Sequence, residues 1–206
     1  TRGTVIKEQT WCANRNHSVE LASRVRLVMQ EAAVKPRDLR AVFVSKGPGG
    51  FTSLRVGMAI AKAMALGLNV PIVSVGTLEV EMAPYTSSRT PVCALVQAGG
   101  GRLYVRWSNQ PKEEFNVLTA EELAARTTNR TVFCGEGLTE VAPILNSLLG
   151  NLAEFRYGEL PSRRAVALAT IGFERLQHGL HDDTESLAPI YMRSSQYDVA
   201  TTAHSS

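Results

Sequence analysis

Apolar side chains recur at helical spacing early in the chain: Leu21, Val25, Val28, Met29 and Ala32 fall on one stripe, with Glu20, Arg24 and Glu31 off it. That pattern predicts an amphipathic helix over 17–33, stopped by Pro36. Residues 4–11 read as a strand before it, entered through Thr1-Arg2-Gly3 as through a hairpin turn. Ala41-Val42-Phe43-Val44 has the β-branched and aromatic pattern of a buried strand, which Gly47-Pro48-Gly49-Gly50 cannot continue. A second helix is expected over 52–68, capped by Thr52 or Ser53 and ended by Gly67 or Asn69 before Pro71. Its charges are Arg55 and Lys62, on one stripe, while Leu54, Val56, Met58, Ile60, Met64 and Leu66 point the other ways. A helix apolar nearly all round is covered on both sides, and Gly57, Ala59, Ala61, Ala63 and Ala65 would admit a neighbouring helix closely.

After the polar stretch Thr86-Ser87-Ser88-Arg89-Thr90 the pattern starts afresh, which sets a lobe boundary there. Residues 92–96 and 102–108 read as a hairpin joined at Gly99-Gly100-Gly101. Thr119-Ala120-Glu121-Glu122 is a capping box opening a short helix, because hydroxyl and carboxylate can each satisfy an exposed amide. Residues 131–134 form a strand, and Gly135-Glu136-Gly137 leads into a helix through Leu149. Phe155-Arg156-Tyr157 is a short strand, and Ser162 caps a helix carrying Ala165, Leu168, Ala169, Gly172 and Leu176 inward as far as Gly179. The tail after Tyr197 is expected to be disordered. Strands and helices alternating in two halves give α/β with a duplicated lobe.

The chain of 206 residues is 44% hydrophobic, enough for a substantial core. A net charge of +3, from 22 basic and 19 acidic residues, does not by itself argue for nucleic acid. Cys12, Cys93 and Cys134 are odd in number and widely spaced, as reduced, mostly buried thiols are in a cytosolic protein. No apolar run reads as long enough to span a bilayer and no signal peptide is seen, so no membrane association and a cytoplasmic location are expected.

Candidate chemistry is sparse. The glycine loop after residue 46 fits neither the Walker frame nor the dinucleotide frame, and a structural turn is the better reading of it. His17 has Leu21 four residues on and so lacks a second ligand on its face. His178, His181 and Asp182-Asp183 read as a solvated loop, with His178 against a helix C-terminus. Glu136 reads as a loop carboxylate.

Gly47-Pro48-Gly49-Gly50-Phe51-Thr52-Ser53-Leu54-Arg55-Val56-Gly57 resembles the Gly-Pro-Gly-Ser-Phe-Thr-Gly-Leu-Arg-Ile-Gly signature of the TsaB family, also called YeaZ. Pro71-Ile72-Val73-Ser74-Val75-Gly76-Thr77-Leu78-Glu79 is similar to that family's Pro-Leu-Val-Gly-Val-Ser-Ser-Leu-Glu. Leu187-Ala188-Pro189-Ile190-Tyr191-Met192-Arg193 resembles its Pro-x-Tyr-Leu-Arg. The resemblance implies the actin-like ATPase fold (ribonuclease H-like), with one lobe over 1–88, a second over 89–195 and a tail over 196–206. Such lobes usually begin with a strand and an Asp-x-Ser/Thr-Thr loop, which do not occur in this sequence, so N-terminal strands are expected to be missing from it.

The same resemblance implies a non-catalytic subunit that pairs with TsaD, and with TsaE through the complex, in threonylcarbamoyl modification of the tRNA adenosine next to the anticodon. A homodimer is expected when TsaD is absent, and tRNA contact only through the complex. The interface is expected on Leu54, Arg55, Met58, Ala61, Lys62 and Ala65 of the second helix with Leu21 and Val25 of the first. No catalytic or metal residue is assigned and no tightly bound cofactor, with ATP or ADP at the TsaD interface left open. In TsaD the stretch matching Gly76-Thr77-Leu78-Glu79-Val80-Glu81 carries two metal-binding histidines, where this chain has Thr77, read as a helix cap, and Glu81. Gln97-Ala98-Gly99 also departs from the family's Asp-Ala-Arg. The alternative is a metal-dependent glycoprotease-like peptidase or an actin-like ATPase acting alone.

Overall fold

The computed structural model describes residues 4–11, 17–111, 114–157 and 162–190. Two sheets organise it. The first is β1 (Val42–Gly47) beside β2 (Ile72–Gly76), parallel, in register from Val42 opposite Ile72 to Ser45 opposite Val75. Parallel strands need a crossover, which α2 (Phe51–Leu68) supplies, with α1 (His17–Glu31) packed beside it. The second sheet has the order β5-β4-β3-β6-β7, from β3 (Val92–Gly99), β4 (Arg102–Trp107), β5 (Asn116–Leu118), β6 (Thr131–Cys134) and β7 (Ala153–Arg156). Its hairpin-linked neighbours are antiparallel, whereas β6 runs parallel to both β3 and β7.

Side chains on a strand alternate between faces, and β3 sorts them cleanly. Cys93 and Leu95 join Phe133 under α4 (Ala120–Arg126) and α5 (Leu138–Leu149), through Leu123, Leu138 and Leu145. Val92, Ala94 and Val96 face the other way, onto Leu78 and Met82 of α3 (Thr77–Met82). Thus α3, which continues from β2, is the wedge between the sheets. Gly135 lets β6 turn into α5 against β3: its φ is +101°, and a Cβ there would stand 2.3 Å from the Leu95 carbonyl oxygen. Cys93 and Cys134 are buried thiols, and burial pushes Cys134 up to about 12 and Cys93 well above its ordinary value. Cys12 and the tail lie outside the described residues.

The two sheets divide where the polar stretch 86–90 sits, but the chain does not stay with the second. Helix α6 (Ser162–Gln177) returns to pack on β1, β2 and α3. Phe43 lies so close to it that a Cβ on Gly172 would be 2.6 Å from the ring. Residues 181–190 follow: Asp182 bridges to Ile72, its carboxylate accepts from the Ser74 amide at 2.6 Å, and the Ile190 amide donates to the Lys46 carbonyl at 2.7 Å. The first sheet is therefore assembled from both sides of the second. Nor are the halves alike in the described residues, with two strands in one sheet and five in the other.

Residues 4–11 form no strand and no ladder joins them to β1, contrary to the strand expected there. The segment and β1 instead share the rim of a groove of about 1170 Å³, further lined by α1 and α6. A second expectation also changes. At 18 residues and a mean hydropathy of 1.3, α2 is long and apolar enough to cross a membrane. Three of its side chains, however, are in the core of the first sheet.

Candidate partner-binding face

The glycine loop sets the direction of α2. Gly47 has a φ of +99°, and a Cβ there would meet Leu54 Cδ1 at 3.0 Å and the Ile190 carbonyl at 3.1 Å. Gly50 occupies the N-cap position and no side chain caps the helix. Neither Thr52 nor Ser53 does so, because the helix already begins at Phe51; the Ser53 hydroxyl instead donates to the Gly50 carbonyl at 2.9 Å. At the other end Asn69, left-handed at φ 52°, terminates the helix.

This start phases the helix differently from the expected interface. Met58, Ala61 and Ala65 retain 3%, 6% and 2% exposure and pack with Val44 and Ile72 in the core of their own sheet, so they are not available to a partner. The reason is geometric: positions three and four residues apart share a face, and this face meets β1 and β2. Leu54 is half-buried against Gly47. Lys62 is half-buried, its Nζ donating to the Glu185 and Leu187 carbonyls, both at 3.0 Å. Leu21 and Val25 are half-buried on the groove side of α1. Of the eight residues expected at the interface, only Arg55 is exposed. Its guanidinium lies 4.2 Å over the Phe51 ring.

The outward face of α2 is Phe51, Arg55, Ala59, Ala63 and Leu66, with Phe51 54% and Leu66 61% exposed. On neighbouring α1, Val19 and Leu27 are exposed as well. Helix α1, packed beside α2, thus exposes apolar side chains of its own. The small residues of α2 were visible in the sequence, but which of them faced outward was not.

The remaining candidates resolve into internal contacts. Thr77 does not cap α3, whose N-cap is Gly76; its hydroxyl shares a 2.8 Å hydrogen bond with Ser45. Glu81 is 7% exposed and ion-paired with Arg164 of α6 at 2.6 Å. Burial pushes its carboxyl up to about 7 against the pull of Arg164, and Glu136 adds to the rise. Arg164 also reaches Glu136 at 3.6 Å, a connection between distant parts of the chain that no local pattern signals. His178 Nδ1 lies 2.7 Å from the Glu174 carbonyl, at the end of its helix as expected. Asp183 accepts from the Ser186 amide and hydroxyl, which hold its carboxyl below the usual range. Among the described residues, no three His, Cys, Asp or Glu side chains converge to hold a metal.

The model of the TsaD family, tRNA N6-adenosine threonylcarbamoyltransferase, matches residues 10–200. The chain belongs to this family. Along nearly its whole length it is similar to the TsaB branch. It is 26% identical to the tRNA threonylcarbamoyladenosine biosynthesis protein TsaB of Bacillus subtilis, over 94% of this chain and 86% of the relative. It is also 26% identical to TsaB of Escherichia coli, over 94% and 87%. Similarity to a TsaD enzyme is closer but shorter: 38% identity to the transferase of Nitratidesulfovibrio vulgaris covers 48% of this chain and 27% of that protein. The solved structure of YeaZ from Pseudomonas aeruginosa superposes with a TM-score of 0.65 over 86% of this chain and 85% of its own, at 23% identity. The fold is accordingly the α/β, actin-like ATPase type expected from the TsaB-like motifs.

Proposed function

We propose that this chain is a non-catalytic subunit in threonylcarbamoyladenosine biosynthesis, pairing with TsaD through the exposed face of α1 and α2. The observation that carries this reading is the outward row Phe51, Arg55, Ala59, Ala63 and Leu66 beside the exposed Val19 and Leu27. Small side chains allow two helices to approach closely, and apolar ones left in water favour burial. Without TsaD the same face would pair two copies, since a self-complementary patch closes as a dimer. The non-catalytic role is supported by the fates of Thr77 and Glu81, one bonded to Ser45 and the other to Arg164. TsaE and tRNA would join through the complex, in the cytoplasm, and ATP or ADP would sit at the interface with TsaD. The names of the full-length relatives support the pathway.

The test is light scattering on size-exclusion fractions of the full chain, alone and with TsaD, with tRNA modification assayed on each fraction. A homodimer yielding to a mixed complex that alone modifies tRNA is the expected result. Ala63→Asp should abolish both associations while leaving the far-ultraviolet circular dichroism unchanged. A folded Ala63→Asp protein that binds TsaD as the parent does would overturn the proposed face.

A further inference from the structure

Three elements from separate parts of the chain meet at one guanidinium. Arg164 stands in the first turn of α6, which packs on the first sheet and α3. Its Nε is 2.6 Å from Glu81 Oε1 on α3, and its Nη1 is 3.6 Å from Glu136 Oε2 in the loop between β6 and α5. That loop belongs to the second sheet, since the Gly137 amide donates to the Leu95 carbonyl at 3.0 Å. The two carboxylates differ sharply in setting: the Glu81 side chain is 6% exposed and that of Glu136 is 45% exposed. We propose that Arg164 is a clasp between the two sheets that exchanges carboxylates, pairing with Glu81 when that side chain is charged and with Glu136 when it is neutral.

The surroundings of Glu81 favour such an exchange near neutrality. From α6 it faces Arg164; from the loop it faces Glu136, whose negative charge disfavours its own. From β6 the Cys134 thiol donates to the Glu81 backbone carbonyl at 3.6 Å and stays protonated, pushed up to about 12. The other acid of α3, Glu79, is engaged by Arg175 at 2.7 Å. Burial brings the Glu81 carboxyl to about 7, so a proton moves on or off it near neutrality, beside the more exposed Glu136. A guanidinium bonds a carboxylate more strongly than a carboxylic acid, so protonation of Glu81 releases Arg164 toward the loop.

Amide hydrogen exchange on the full chain at pH 6 and pH 8, corrected for intrinsic rates, reads the exchange directly. Protection of the loop around Glu136 should be higher at pH 6 by up to about fivefold. Glu81→Gln, neutral throughout, should hold the loop in its protected state at both pH values. Glu136→Gln should remove the protection gained at pH 6, and Arg164→Gln should hold the loop at its lower, pH 8 level of protection at both. A pH-dependent loop in Glu81→Gln, or full protection of it at pH 6 in Glu136→Gln, would overturn the clasp. If Glu81→Gln fails to fold, the Glu136 and Arg164 variants still decide.

Discussion

Glu81 is where a single side chain makes stability depend on pH. Its carboxyl is raised from 4.5 to about 7, so the folded chain holds a proton that the unfolded chain has already released. Its contribution favours folding below pH 4.5 and is lost progressively as pH rises to about 7. Glu81→Gln should flatten that stretch of the stability curve in urea titrations and be the more stable protein above it, by at most about 3 kcal/mol. Single-residue readings succeeded where the partner was close in sequence. Thr119 accepts from the Glu122 amide at 3.2 Å and Glu122 from the Thr119 amide at 2.8 Å, as the capping box predicts. They failed where the partner was distant, as with Thr77 and Ser45 or Glu81 and Arg164, because spacing along a chain carries no information about such meetings.

For the helices, type was legible and phase was not. α2 was recognisable from its glycine entry and its apolar length, but a helix apolar nearly all round offers no polar stripe to mark its outward side. The structure supplies the phase, and with it a contrast between neighbouring substitutions. Met58→Asp would bury a charge among Val44, Ala61 and Ile72 and should cost more than about 3 kcal/mol, seen as a large fall in the urea midpoint. Ala63→Asp, on the exposed face, should change the midpoint little. Equal loss in both variants would mean that the exposed side of α2 is not free in solution. The segment 4–11 shows the opposite failure: its residues read as a strand, but strand pairing depends on a neighbour within hydrogen-bond reach, which a local pattern cannot report.

Across the whole molecule, alternation and glycine punctuation made the α/β class legible and led to the expectation of a lobe boundary near residue 88, but they did not signal that α6 and residues 181–190 cross back. The apolar face of 162–177 fits any sheet equally well. What fixes the return is a handful of specific bonds, among them Asp182 to the Ser74 amide at 2.6 Å and Arg175 to Glu79 at 2.7 Å. Asp182→Ala should therefore lower stability by about 2 kcal/mol in urea unfolding, because a charge-assisted bond is lost and a β2 amide is left without it. An unchanged midpoint would mean that the returning segment contributes nothing to the first sheet. The crossing also bears on the order in which the protein is made. The strands of the second sheet are contiguous from Val92 to Arg156, so a nascent chain can complete that sheet as soon as they have emerged. The first sheet begins earlier at β1, yet must wait for α6 and for Asp182 before its cover is in place. During synthesis the middle of this chain is expected to mature first, while the older N-terminal portion is held unfinished until the last contacts arrive.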